Sequence, residues 1–135
     1  MNSAVDPKVT PEFKDRFQEA VALKNQGRLA EAEQQFKDLL VMNPASASVH
    51  ALLADTLWDQ GQLTQAIASF RKAVELAPKS EIPSLGLFHT LLESGDREDA
   101  IAEMDGFLSL SDSEEYQALA QQFDHESSGK KKEIL

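Results

Sequence analysis

Three kinds of side chain in this sequence have types and spacings that bear on chemistry. Histidines stand at His50, His89 and His125, carboxylates pair at Glu114–Glu115 and at Asp55 with Asp59, and the one tryptophan, Trp58, lies beside that second pair. Metal ligands carried on a helix need to be three or four residues apart, or to converge from several elements. The histidines are 39 and 36 residues apart and share no such spacing. A carboxylate pair can serve as acid and base, but acids at this density on helices are ordinarily a solvated face. There is no phosphate-binding glycine loop, no nucleophile elbow and no dinucleotide fingerprint. With 0 cysteines, thiolate metal sites, cysteine nucleophiles and disulfides are excluded. The side chains therefore point away from catalysis and from cofactors, and toward recognition, for which a tryptophan is a favoured anchor.

The elements that must position these residues are set by a period. Gly27, Gly61 and Gly95 are 34 residues apart, and a hydrophobic pattern repeats around each. A fixed period of this length marks a helical repeat whose units bury their apolar faces only by stacking. Thr10-Pro11 is an N-cap followed by proline at the first helical position. Phe13, Phe17, Ala20 and Leu23 stripe the helix that follows, and Leu29, Ala32, Phe36, Leu39, Leu40 and Met42 stripe a second one ending at Asn43-Pro44. Ser46 and Ser80 are expected to cap the first helices of the next two units. Pro83 falls in a first turn, where its missing N–H costs nothing. After Leu110, a capping-box pair of Asp112 with Glu115 is expected to start a seventh helix striped by Tyr116, Leu119, Ala120 and Phe123.

With each glycine at place 15 of a 34-residue frame, the chain resembles the tetratricopeptide repeat family. The middle unit carries seven of eight signature places: Leu53, Ala54, Leu57, Ala66, Phe70, Ala73 and Pro78, failing only at place 4 with His50. The first unit keeps Ala20, Leu23, Ala32, Phe36 and Pro44, and departs at Arg16, Glu19 and Leu39. The third keeps Leu87, Leu91 and Ala100, while Phe88, Met104, Phe107 and Asp112 replace expected residues. The resemblance implies an all-α fold, a right-handed α-solenoid of three helix–turn–helix repeats at about 13–46, 47–80 and 81–114. A capping helix at about 113–124 completes a domain spanning 10–124. Residues 1–9 are expected to be a flexible leader and 125–135 a disordered tail, where Lys130 to Lys132 solubilise and Ile134 and Leu135 are not expected to fold back.

The resemblance also implies a concave groove lined by the first helix of each repeat. Its inner places fall on Phe17, Val21, Lys24, Leu52, Asp55, Trp58, Leu85, His89 and Leu92, with Ser48, Ala51, Ile82 and Gly86 among the others. The family's cationic clamp for acidic chaperone tails is missing, because Phe17, Val21, Leu52, Ile82 and Gly86 stand where it would need lysine, asparagine or arginine. An apolar or mixed protein segment is the expected ligand.

The net charge of −10 is lopsided: from Glu93 to Glu126 eleven acids face one base, Arg97, and the remainder of the chain is balanced. This end repels phosphates, so nucleic acid is not an expected partner. A patch of Glu98, Asp99, Glu103 and Asp105 would suit a basic protein. Binding in the groove is the leading expectation. A dedicated chaperone or immunity-type partner masking a basic protein is the second, and self-association (a homo-oligomer) the third. No signal peptide and no apolar run near the roughly 18 residues of a membrane span are visible, so a cytoplasmic, non-membrane protein is expected.

Overall fold

The computed structural model describes residues 7–123, and the tail calls from residue 124 onward lie outside them. Seven helices follow one another without a strand among the described residues: α1 (Pro11–Asn25), α2 (Leu29–Met42), α3 (Ala47–Asp59), α4 (Leu63–Leu76), α5 (Glu81–Glu93) and α6 (Arg97–Leu110), then α7 over residues 114–123. From α1 to α6 each helix packs on the next, and α1 touches α3 as α3 touches α5. The first helices of the three hairpins thus form an inner layer and the second helices an outer one. This is an all-α solenoid.

Each hairpin turns on its glycine. Gly27, Gly61 and Gly95 have φ of 78°, 78° and 89°, a region that costs other L-residues roughly 1–2 kcal/mol. The left-handed residue lets the chain close the helix with paired bonds. Gly27 N–H reaches Lys24 C=O at 3.0 Å, and Arg28 N–H reaches Leu23 C=O at 2.9 Å. The same pair recurs one period later and again two periods later, satisfying carbonyls that a helix end would leave bare.

Close packing follows from the small residues. Ala20, Ala32, Ala54, Ala66, Ala73 and Ala100 are all fully buried where helices cross. One core gathers Phe13, Phe36, Leu39, Val49, Leu53 and Leu57. A second gathers Phe70, Leu87, Phe88, Leu91, Met104, Phe107 and Tyr116. Val9, assigned from sequence to the leader, packs half-buried on the first core.

Place 4 is polar in all three units, and the structure gives each its partner. Arg16 pairs with Glu12 at 3.5 Å. The His50 ring meets Pro44 C=O at 2.9 Å through Nε2, tying α3 to the preceding turn. Ser84, fully buried, donates to Glu103 at 2.6 Å and lies 2.8 Å from the Tyr116 hydroxyl.

Two capping expectations are corrected. Thr10 and Ser46 accept the N–H of Phe13 and Val49 at 3.1 and 3.3 Å. Ser80 makes no such bond, because the residue three places on is Pro83, which has no N–H to offer. The start of α7 is capped by Ser113, whose Oγ accepts the Tyr116 N–H at 3.1 Å, and not by a pair of Asp112 with Glu115.

Candidate functional site

The inner layer holds a pocket of about 500 Å³. Phe17 reaches it from α1, Ser48, Ala51, Leu52, Asp55 and Trp58 from α3, and Ile82 and Gly86 from α5. These come from three hairpins, and the 34-residue period is what brings them to one face. Phe17 stacks on buried Phe13 at 6.4 Å, which turns one edge of the ring to the core and leaves it half-buried. Ile82 stands at the mouth, 78% exposed. That is a costly position for an isoleucine in water, since full burial of such a side chain is worth about 1.5–3 kcal/mol.

The back of the pocket is Phe70, a residue of the outer helix α4. Its ring reaches inward because Gly86 has no side chain; a Cβ there would overlap the Phe70 ring. Sequence places alone do not assign an outer-helix residue to the inner surface. The available signal was the pairing of a glycine on one inner helix with a phenylalanine on the neighbouring outer helix. Ala47, Ala77, Ser80 and Pro83 also line the pocket from outside the inner places.

Trp58 closes one wall. Its ring meets Phe70 edge-on, with centroids 6.5 Å apart at 80°, and its indole N–H donates to Glu93. That bond joins α3 to α5 and fixes the indole's apolar face toward the pocket. Beside it, Lys24 sits between Asp55 at 2.7 Å and Asp59 at 3.6 Å. Partial burial opposes the charge on Lys24, but the bonds to both aspartates outweigh it and hold its pKa above the ordinary lysine value. Lys24 is thus engaged within the chain.

Val21, Leu85 and Leu92 are half-buried against the two cores and lie outside the pocket lining. So does His89, whose ring packs edge-on to Phe88 at 5.2 Å and whose Nε2 is 4.0 Å from Glu115.

The acidic residues divide. Glu98, Asp99 and Asp105 are exposed on α6; the first two lie in its first turn, where negative charge complements the helix dipole. Asp99 approaches Arg71 at 3.6 Å. Glu103 turns inward to Ser84. A separate cleft of about 700 Å³ is lined by Glu81, Asp112, Ser113, Glu114, Glu115 and Gln117. Burial, with the charges of Glu103, Glu81 and Glu115 adding to it against the hydrogen bond from Ser84, pushes the Tyr116 hydroxyl well above its usual pKa.

No group of three or more potential metal ligands occurs among the described residues, and no helix among them is long and apolar enough to cross a membrane.

Two family models, both for the tetratricopeptide repeat, match residues 17–81 and 57–123. No curated protein matches the sequence. The Yersinia enterocolitica type III secretion chaperone SycD, in complex with a peptide of the translocator YopD, superposes with a TM-score of 0.75 at 15% identity, covering 96% of this chain and 100% of that one. The CopN–Scc3 complex gives 0.73 at 18% identity, covering 90% and 75%. A mutant of MamA gives 0.67 at 18% identity, covering 78% and 77%. At these identities the likeness is one of fold.

Proposed function

Because this chain belongs to the tetratricopeptide repeat family, we propose that it is a non-catalytic interaction module that seats a protein segment in the pocket between α1, α3 and α5. The observation that carries this reading is the combination of Phe17, Leu52, Trp58, Phe70 and Ile82 around one concavity. Large apolar side chains held at a rim lose water when a partner arrives, and that supplies the driving force for association. Trp58 suits an anchor, since its hydrogen bond to Glu93 holds it before binding and lowers the ordering cost.

Similarity in fold to a chaperone solved with a peptide of its translocator supports a peptide-sized ligand. The pocket volume of about 500 Å³ suits a few large side chains rather than a whole domain. An acidic ligand is disfavoured, because the cation nearest the pocket, Lys24, already serves two aspartates.

The test is selection of binding peptides from a random library, read by the emission of Trp58. Leu52→Glu should weaken the selected peptides at least tenfold with helicity intact. Val41→Glu, on the outer helix α2 where Val41 is 83% exposed, should leave them unchanged. Equal binding by parent and Leu52→Glu would refute the assignment.

A further inference from the structure

The apolar pocket and the acid-lined cleft share a border, and Glu81 and Ile82 are neighbours on that border. Glu81 lines the cleft while Ile82 lines the pocket. The cleft holds four carboxylates, Glu81, Asp112, Glu114 and Glu115, and neither lysine nor arginine. Among the described residues Glu81, Asp112 and Glu114 make no ion pair, and Glu115 has only His89 at 4.0 Å. Four like charges around one concavity repel one another, and the low-dielectric wall behind them, where Tyr116 is fully buried, strengthens the field. The chain leaves that repulsion uncompensated at the same place where it leaves Ile82 78% exposed. A single ligand can relieve both.

Resting on the reading of the pocket as a protein-segment site, we infer that the segment is cationic as well as apolar. It carries a large apolar side chain into the pocket and lysine or arginine beside it over the cleft. The charges set the direction in which the segment lies, since only one end of the pocket opens on carboxylates, and they speed its capture.

Three synthetic peptides test this on the full chain. Each carries the same Phe-x-x-Leu pair, flanked on one side by lysines, serines or glutamates, and binding is followed by calorimetry and Trp58 emission. The lysine peptide should bind about tenfold tighter than the serine peptide at low salt, with the gap closing as salt screens it. The glutamate peptide should bind weakest. Glu81→Gln, Glu114→Gln and Glu115→Gln together should level the three affinities. Equal affinities in the parent would overturn the charge inference and leave the apolar pocket standing. Failure of all three peptides in the parent, and in a chain with Lys130→Glu, Lys131→Glu and Lys132→Glu, would remove the pocket reading as well. If only that charge-reversed chain accepts the lysine peptide, the occupant is the chain's own basic segment, and the assignment to a separate partner falls. A stable dimer in sedimentation that the lysine peptide does not dissociate would overturn it in favour of a second copy.

Discussion

In the middle hairpin Ala54 and Ala73 occupy the places held in the third by Phe88 and Phe107, and all four side chains are buried. The frame is the same and the filling is opposite. Ala54 shares a core with Leu87 and Phe88 of the hairpin stacked on it, so it needs to contribute little volume. The third hairpin has only α7 beyond it. There Phe88 meets Tyr116 at 5.6 Å and Phe123 at 5.8 Å, both edge-on, and Phe107 meets Tyr116 at 5.4 Å. Aromatic bulk does the work that a fourth hairpin would otherwise do. The comparison teaches that departures from the repeat pattern in the third unit are how the stack ends, rather than signs of a decayed repeat.

The strongest way to break this comparison is Phe88→Ala. It should cost about 3–5 kcal/mol in urea unfolding and release α7, while a cost below about 1 kcal/mol would mean the aromatic cluster is not what closes the stack. Next comes Gly86→Ala, where the new methyl must displace the Phe70 ring. Overpacking of roughly 1–3 kcal/mol, reduced by the ~1 kcal/mol that alanine gains over glycine in a helix, should leave a net loss and shift Trp58 emission. A gain in melting temperature would show that the contact between the two hairpins is loose.

Caps sharpen the comparison further. Ser46→Ala in the middle hairpin should cost about 1 kcal/mol, and Ser80→Ala in the third almost nothing. Pro83→Ala should make Ser80→Ala costly, because it restores the missing N–H; a double-mutant cycle reads this directly. The smallest effect concerns a polar tie that only one junction has. Glu33 accepts bonds from Lys37 at 2.6 Å and Gln60 at 2.8 Å, whereas Ile67 and Ser94 occupy the matching places one period on. The bonds from Lys37 and then Gln60 hold the Glu33 pKa below its ordinary 4.5. Its contribution is therefore present above about pH 4.5 and lost as the pH falls through the lowered value. Glu33→Gln should lower stability by about 0.5 kcal/mol near neutrality, and thermal melts should show that gap closing in acid.

The helices were legible in the sequence because a 34-residue period, buried alanines and left-handed glycines each act locally. What local reading missed depends on other residues. Ser80 has cap chemistry, but its donor was removed by Pro83. Ser113 rather than Asp112 caps α7, and the two compete for one position by a shift of a single residue. Of the candidate site, Phe17, Leu52, Asp55 and Trp58 meet around one pocket, since the inner places of a repeat fix their direction. Val21, Lys24, Leu85, His89 and Leu92 lie elsewhere because the pocket occupies only part of the inner face. Phe70 was hidden because its exposure is created by what Gly86 lacks, a relation between two helices.

The pocket draws its walls from α1, α3 and α5, so none of its surface is complete within one hairpin. It exists only while all three are stacked. Fraying of either end, the usual first opening of a linear array, would erase the site while most of the helix content survived. By linkage, an occupant at a hundred times its dissociation constant adds about 2.7 kcal/mol against that opening. It would slow amide hydrogen exchange in both outer hairpins at once, and so turn a chain of neighbour-by-neighbour contacts into a single cooperative unit.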